Sequence, residues 1–396
     1  MNRNNRLNNS TIRRGQAELQ SQTSLSSQLK RTWPIALLGF LGLTSGILVI
    51  VWNEARAVET TKLLEEAILS VTQVSPDYPI DKNHIGKLLY ITGIITVQEP
   101  LTEIDYGVSV SAVKLKRRVQ MYQWVEEETQ NINAEGNVID NSFYYYTEWR
   151  DKLIDSTSFA HSVGHWNPKE FPIKSQTQIN ENVKIGYYNL GLELKEKFND
   201  YVEITSDERP ERRDIKLHAG LYYHSHDVWN PEIGDIRIQF SYAGQHGQIV
   251  TLVAMLDDTN SLVPFKSKHG LDVLILRLGF FSLEDVFTLE HAQNRFVTWL
   301  YRGGGWALMY LGCICLSNIL RSLIMRSRLL RDLLPTSHSS LKMTVSMSMS
   351  IFVTALAWMW YRPILGIFLV IVTLSLLLLT KYFSGNHNIQ NNYNRL

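Results

Sequence analysis

Cysteine is nearly absent from this sequence: 396 residues hold only Cys313 and Cys315, both inside an apolar run. No disulfide framework is available, so every folded region must hold together by its own core. Net charge is also close to nil, with 39 Lys and Arg against 38 Asp and Glu. A chain without a global field has no electrostatic case for binding nucleic acid, and none is expected as a partner. Gly-x-Ser-x-Gly elbows and Walker-type phosphate loops are missing. Gly303, Gly304 and Gly305 lack the spacing and the lysine of a phosphate loop and read as a flexible entry into a membrane. No cofactor and no catalytic residue set is expected, and the chain is read as a non-enzyme.

The most informative absence is of charge over long stretches. Residues 32–53, 303–320, 343–361 and 363–380 contain no Asp, Glu, Lys or Arg. A bilayer core of ~30 Å needs ~20 helical residues, and flanking Arg and Lys stems can snorkel to the headgroups. Only helices satisfy their own backbone in lipid, so four membrane helices are expected rather than buried helices of a soluble protein. Trp33 and Trp52 mark the two ends of the first run, as tryptophan does at membrane boundaries. Ala55-Arg56-Ala57 resembles a cleavage site after a signal sequence, but the apolar run is longer than a signal core. No acid lies inside any span, which disfavours a transporter or pump.

The basic residues orient the spans. The first 31 residues carry six Lys and Arg, and 321–342 carries five. The positive-inside rule places both segments, and the C-terminus, in the cytosol. The expected organisation is a disordered basic tail over 1–31, a first span at 32–53 and an extracytosolic domain over 54–302. Spans follow at 303–320, 343–361 and 363–380, with a basic loop at 321–342 and an Asn-rich tail at 381–396. Between 54 and 302 no Asn-x-Ser/Thr acceptor occurs; the two in the chain begin at Asn8 and Asn9.

The middle of the chain reads as α+β. Residues 58–73 alternate at helical spacing, as an amphipathic helix lying on the bilayer or on its own domain. Strands are expected at 88–97, 119–128, 142–150, 236–242, 249–256 and 273–278, with 119–128 and 142–150 forming a long hairpin. Ile236, Ile238, Phe240 and Tyr242 alternate with polar residues, whereas 249–256 is apolar on both faces and should be central. Ser282 and Asp285 have the spacing of a helix capping box, with Phe287, Phe296, Trp299 and Leu300 on the apolar face of that helix. The basic run Lys114 to Arg118 reads as a solvated strand edge or a patch for anionic headgroups. The pairs His224/His226 and His161/His165 have spacings that can bind zinc, but a third ligand is not evident. They are expected to be structural, and no metal site is assigned.

The membrane block carries the candidate site. Ser346, Ser350 and Thr354 recur every four residues, with Ala357 three further, as a small-residue seam for helix packing within or between chains. Trp358, Trp360, Tyr361, Arg362 and Pro363 form the turn where two spans meet. Proline there ends one helix and starts the next, so the third and fourth spans are expected to form a tight hairpin.

Several long strings resemble the transmembrane protein 43 family, also called LUMA: AVKLKRRVQMYQW at 112–124, TEWRDKLID at 147–155, HWNP at 165–168 and KIGY at 184–187. PEIGDIRIQFSYAG at 231–244, LVPFKSK at 262–268 and WMWYRP at 358–363 continue the match in family order, over about 33–382. The two Asn-rich tails fall outside it. The resemblance implies a multi-pass protein of the endoplasmic reticulum and inner nuclear membrane that self-associates and helps organise emerin- and lamin-type partners. In a bacterial relative the compartment would be the cytoplasmic membrane. The function expected is a membrane scaffold in contact with lipid, self-associated as a homo-oligomer. The alternatives are a membrane-tethered metal-dependent hydrolase using His224 and His226, and a subunit of an oligomeric channel.

Overall fold

The computed structural model describes residues 25–132, 138–205, 212, 214–266, 272–317, 338–361, 363–372 and 375. They divide into two compact units, one formed by the chain up to Leu64 and from Thr288 onward, the other by Glu65–Phe287.

The first unit is helical. Helix α1, Leu25–Ser70, runs for 46 residues. The charge pattern predicts a span at 32–53 separate from an amphipathic helix at 58–73. No glycine or proline lies between Gly46 and Ser70, and Glu54 to Ala67 are mostly good helix formers, so nothing breaks the helix at the end of the apolar run. The tail expected to be disordered lies outside the described residues as far as 24, but is helical from Leu25.

Helix α2 is Leu283–Cys315 and helix α3 is His338–Tyr361. A further apolar helix α4, Pro363–Val372, follows. Two stretches, Trp33–Ser70 and Lys342–Met359, are long and apolar enough to cross a membrane. Of the other expected spans, 303–320 is described only to 317 and continues α2, and 363–380 is described continuously only to 372. Gly303, Gly304 and Gly305 are therefore not a flexible entry but part of an unbroken helix. At the start of α2, the Ser282 hydroxyl accepts from the Asp285 amide at 3.2 Å and donates to the Asp285 carboxylate at 2.6 Å. These bonds cap the helix start.

The second unit is built on two sheets, each of seven strands among the described residues. The first contains β1 (Thr72–Val74), β2 (Leu88–Val97), β8 (Val183–Ile185), β9 (Tyr188–Leu190), β14 (Ile249–Leu256), β15 (Ser261–Val263) and β18 (Ile275–Leu278). The second contains β5 (Ala112–Ile132), β6 (Val138–Arg150), β7 (Gln176–Ile179), β10 (Val202–Glu203), β11 (Lys216–His218), β12 (Leu221–His224) and β13 (Ile236–Gln245). Two ribbons complete it, β3 (Leu101–Glu103) with β4 (Val108–Val110), and β16 (Phe265–Lys266) with β17 (Asp272–Val273).

Strand β14 is central, paired antiparallel with β2 on one side and β18 on the other. Its Val250, Leu252, Val253 and Ala254 are fully buried, as an apolar run on both faces requires. Leu89, Ile91, Ile95, Leu252 and Leu262 form the core of this sheet, joined by Val113 and Ala243 from the second. Leu115, Val119, Met121, Ile236, Ile238 and Phe240 form the other core. The alternation in β13 places Ile236, Ile238 and Phe240 inside, but Tyr242 is only half-buried and Ala243 takes the next interior place.

The basic run Lys114 to Arg118 is not a sheet edge. It lies in β5, between β13 and β7. Lys114 is buried and donates to the Glu196 carbonyl at 2.6 Å, while Arg117 pairs with Glu103 at 2.8 Å. The interior cations are thus satisfied individually. The expected strand at 273–278 is split, with Val273 in β17 and Ile275–Leu278 in β18.

Candidate functional site: a polar junction among three helices

Along α1, Gly39, Gly42 and Gly46 recur on one side, and on α2 Gly305 and Gly312 meet them. A Cβ at Gly46 would lie 2.7 Å from the Gly305 carbonyl oxygen, and one at Gly312 would lie 2.8 Å from that of Gly39. The two helices therefore run antiparallel with their backbones in contact, which only residues without a side chain permit. Helix α3 packs on this pair, where Ile50, Met309 and Val353 form a buried cluster with Leu43, Ile47 and Met349 around it. Outward, Leu38, Phe40, Leu48 and Leu311 are exposed, the apolar surface expected of helices in lipid.

Where the apolar run of α1 ends, polar side chains take over the same interface. The Asn53 amide donates to the Thr298 carbonyl at 3.1 Å, and Arg56 reaches Asn294, Asn53 and Thr298 at 3.2–3.3 Å. Asn294 in turn donates to the Ala57 carbonyl at 3.1 Å. Next to this ladder lies Glu54, only 1% exposed. Its carboxylate accepts from Arg302 Nε at 2.6 Å and Nη2 at 2.9 Å, and from the indole Nε1 of Trp358 at 2.6 Å. The Arg302 guanidinium also lies 4.9 Å from the Trp299 ring centre and 5.4 Å from that of Trp358. A two-pronged Arg–carboxylate bond sandwiched by aromatic faces is the geometry in which a buried ion pair is compensated. One acid thereby holds three helices.

Trp299, together with Phe296 and Leu300, is exposed. Of the apolar face expected on this helix, Phe287 is buried, whereas Phe296, Trp299 and Leu300 lie on the outside of α2, away from the buried Asn294 and Thr298. Trp52 meets Tyr301 edge-on at 5.4 Å. Tryptophan and tyrosine gathered around the junction match the aromatic marking of a membrane–water boundary.

In the expected seam, Ser346 is fully buried and Thr354 nearly so, while Ser350 and Ala357 are half-buried. Ser346 and Thr354 donate to carbonyls of their own helix, Met343 and Ser350, at 3.1 and 3.0 Å. In these bonds neither hydroxyl reaches across to another helix. Of the expected turn, Trp358 joins the junction and Pro363 opens α4. The side chains of Trp360 and Tyr361, and all of Arg362, lie outside the described residues. Gly366 is buried, and a Cβ there would sit 2.8 Å from the Met359 nitrogen and 3.0 Å from the Ala355 carbonyl oxygen, so α4 folds back against α3.

Glu54 and Arg302 escaped the sequence reading because each lies one position beyond a charge-free run, where a charge usually means only that the span has ended. The usable signal is their opposite sign at ends that an antiparallel pair must bring together.

In the strand-rich unit, the candidate histidines have other partners. His224 Nε2 lies 3.0 Å from the Tyr106 hydroxyl, and His165 Nδ1 lies 2.9 Å from the His161 carbonyl oxygen. The His165 ring stacks on Tyr145 at 4.0 Å. His226 offers its carbonyl to Lys216. Among the described residues no three His, Cys, Asp or Glu side chains are grouped to hold a metal.

Burial pushes the Tyr106 hydroxyl up to about 12 and lowers His224 from its ordinary value, the carboxylates of Asp214 and Asp105 opposing the fall. A histidine whose folded pKa is depressed stabilises the fold in its neutral form. That contribution is intact above the unfolded value of about 6.5 and is lost as pH falls from there toward the folded pKa. The pH dependence of unfolding should therefore flatten between about pH 7 and about pH 5 in His224→Gln relative to the wild type. Equal acid sensitivity of the two melting temperatures would contradict this assignment.

The family model for transmembrane protein 43 matches residues 121–363. A Drosophila melanogaster protein, "Transmembrane protein 43 homolog", is 43% identical over 352 residues, covering 87% of this chain and 93% of its own length. "Transmembrane protein 43" of Homo sapiens is 33% identical over 357 residues, covering 87% and 88%, and that of Rattus norvegicus is 33% identical over 341, covering 82% and 84%. No solved structure matches the chain. Identity of 33–43% over most of the chain, a strand-rich unit and helices suited to a bilayer lead to one assignment: this chain belongs to the transmembrane protein 43 family.

Proposed function

We propose that the protein is a four-span, non-enzymatic membrane scaffold that self-associates and holds partner proteins at the membrane. The observation that carries this reading is the junction of Glu54, Arg302 and Trp358, which ties three helices into one unit. Its charges are spent on each other and on an indole, an arrangement for holding helices in place. On this reading the chain crosses the membrane at 32–53, 303–320, 343–361 and 363–380, with both termini in the cytosol. The strand-rich unit lies on the far side, and the apolar outer faces of the helices meet lipid. As the family resemblance implies, we place it in the endoplasmic reticulum and inner nuclear membrane, with emerin- and lamin-type proteins as candidate partners.

The topology is tested by single cysteines, at Lys169 and at Ser327, in a chain with Cys313 and Cys315 replaced by serine. With sealed vesicles of known orientation, a membrane-impermeant thiol reagent should label Ser327→Cys from the cytosolic face and Lys169→Cys only from the other. Labelling of both from one face would overturn the four-span arrangement.

A further inference from the structure

Strand β6 is one border of the second sheet. Its only strand partner among the described residues is β5. It is 13 residues long, VIDNSFYYYTEWR. Folded proteins normally blunt such an edge with lysine, proline, short length or a bulge, because its open N–H and C=O groups are a template for another chain. This edge has neither lysine nor proline, and its register with β5 shifts only near the hairpin tip, between Asn131 and Ile132. Its composition is that of a strand made to pair, with three consecutive tyrosines, a phenylalanine and a tryptophan.

The two faces of β6 are treated differently. Tyr145, on one face, is covered: its hydroxyl donates to Glu126 at 2.5 Å and accepts from the His161 amide at 2.9 Å. Tyr144 and Tyr146, on the other face, are 58% and 38% exposed, beside the ion pair Glu148–Arg150. We propose that β6 is a self-association surface, on which a second copy of this chain adds its own β6 antiparallel about a two-fold axis at Tyr145. This deepens the proposed scaffold role and rests on it.

The strand is complementary to itself in that register. An antiparallel two-fold at Tyr145 brings Tyr144 of one copy opposite Tyr146 of the other. It also sets position 140, an aspartate, opposite position 150, an arginine, at both ends. Directly opposed aromatic and opposite-charge pairs are the stabilising units of antiparallel sheets, and an isologous contact of this kind closes on itself as a dimer. The seven-stranded sheet would then continue across both copies.

The test uses the full chain in lipid nanodiscs, with Cys313 and Cys315 replaced by serine and two differently tagged copies expressed together. Tyr144→Cys in one copy and Tyr146→Cys in the other should form an interchain disulfide under mild oxidation. Tyr144→Cys with Ser142→Cys, four register positions apart, should not. Separately, Tyr144→Lys with Tyr146→Lys places like charges across the axis and should weaken association by about tenfold or more, with the melting temperature of the monomer unchanged. An oligomer that persists with both lysines, or that shows no preference for the 144–146 pair, overturns the β6 surface and leaves the scaffold reading standing. A wild-type chain that is monomeric throughout overturns the scaffold's self-association, and this surface with it.

Discussion

Glu54→Ala should lower stability by about 3–5 kcal/mol, the cost of stranding one partner of a buried ion pair. The loss has three parts: the two-pronged bond to Arg302, the indole bond from Trp358, and the guanidinium left without its acid. Arg302→Ala should cost a similar amount, since it strands Glu54 at 1% exposure. The double replacement should be less damaging than the two single losses added, because neither charge then remains unpaired. Trp358→Phe removes a hydrogen bond to a charged acceptor, worth about 1.5–3 kcal/mol, together with part of the aromatic surface facing Arg302. Thermal unfolding of the four purified variants in mild detergent measures this cycle. Additive losses in the double variant would show that Glu54 and Arg302 act independently, contrary to the junction described.

The second large effect is expected at Gly312. Its missing side chain lets α1 approach until a Cβ would be 2.8 Å from the Gly39 oxygen and 2.9 Å from the Leu43 nitrogen. Both neighbours are backbone atoms and cannot swing aside. Gly312→Leu must push the helices apart, displacing the Met309–Ile50–Val353 contact as well. Overpacking of this kind costs about 1–3 kcal/mol in ordinary cores and more where backbone must move. Gly304→Leu is the matched control, since a Cβ there meets nothing within 4 Å. Comparable detergent melting temperatures for the two variants would contradict the close helix crossing.

Much of the fold could be read from the chain because local pattern and final environment agree. Residues 249–256 are apolar on both faces and occupy the centre of a sheet; 88–97 lies beside them with the expected limits. Ser282 and Asp285 cap a helix because their spacing leaves little else for those oxygens to do. Other features depended on neighbours remote in sequence. Lys114 and Arg117 resemble a solvated edge until Glu196 and Glu103 are brought to them. The join between 53 and 58 depends on α1 continuing as a helix alongside α2, where Asn53, Arg56 and Ala57 meet Asn294 and Thr298.

The candidate site was legible only in half. Trp358 and Ser346 were visible as an interfacial aromatic and a small residue in an apolar helix. Neither pattern revealed that Trp358 would point at an acid 304 positions away, because hydropathy marks where spans end and says nothing of which ends meet. The hydroxyls of Ser346 and Thr354 turned back on their own helix, as Ser and Thr side chains readily do when a carbonyl three or four residues earlier is within reach.

The central claim is that this chain works as a self-associating membrane scaffold. Native mass spectrometry of the full chain released from lipid nanodiscs, over a range of protein-to-lipid ratios, tests it most directly. A dimer or a higher multiple that persists on dilution is the predicted result; a monomer at every ratio would contradict the claim.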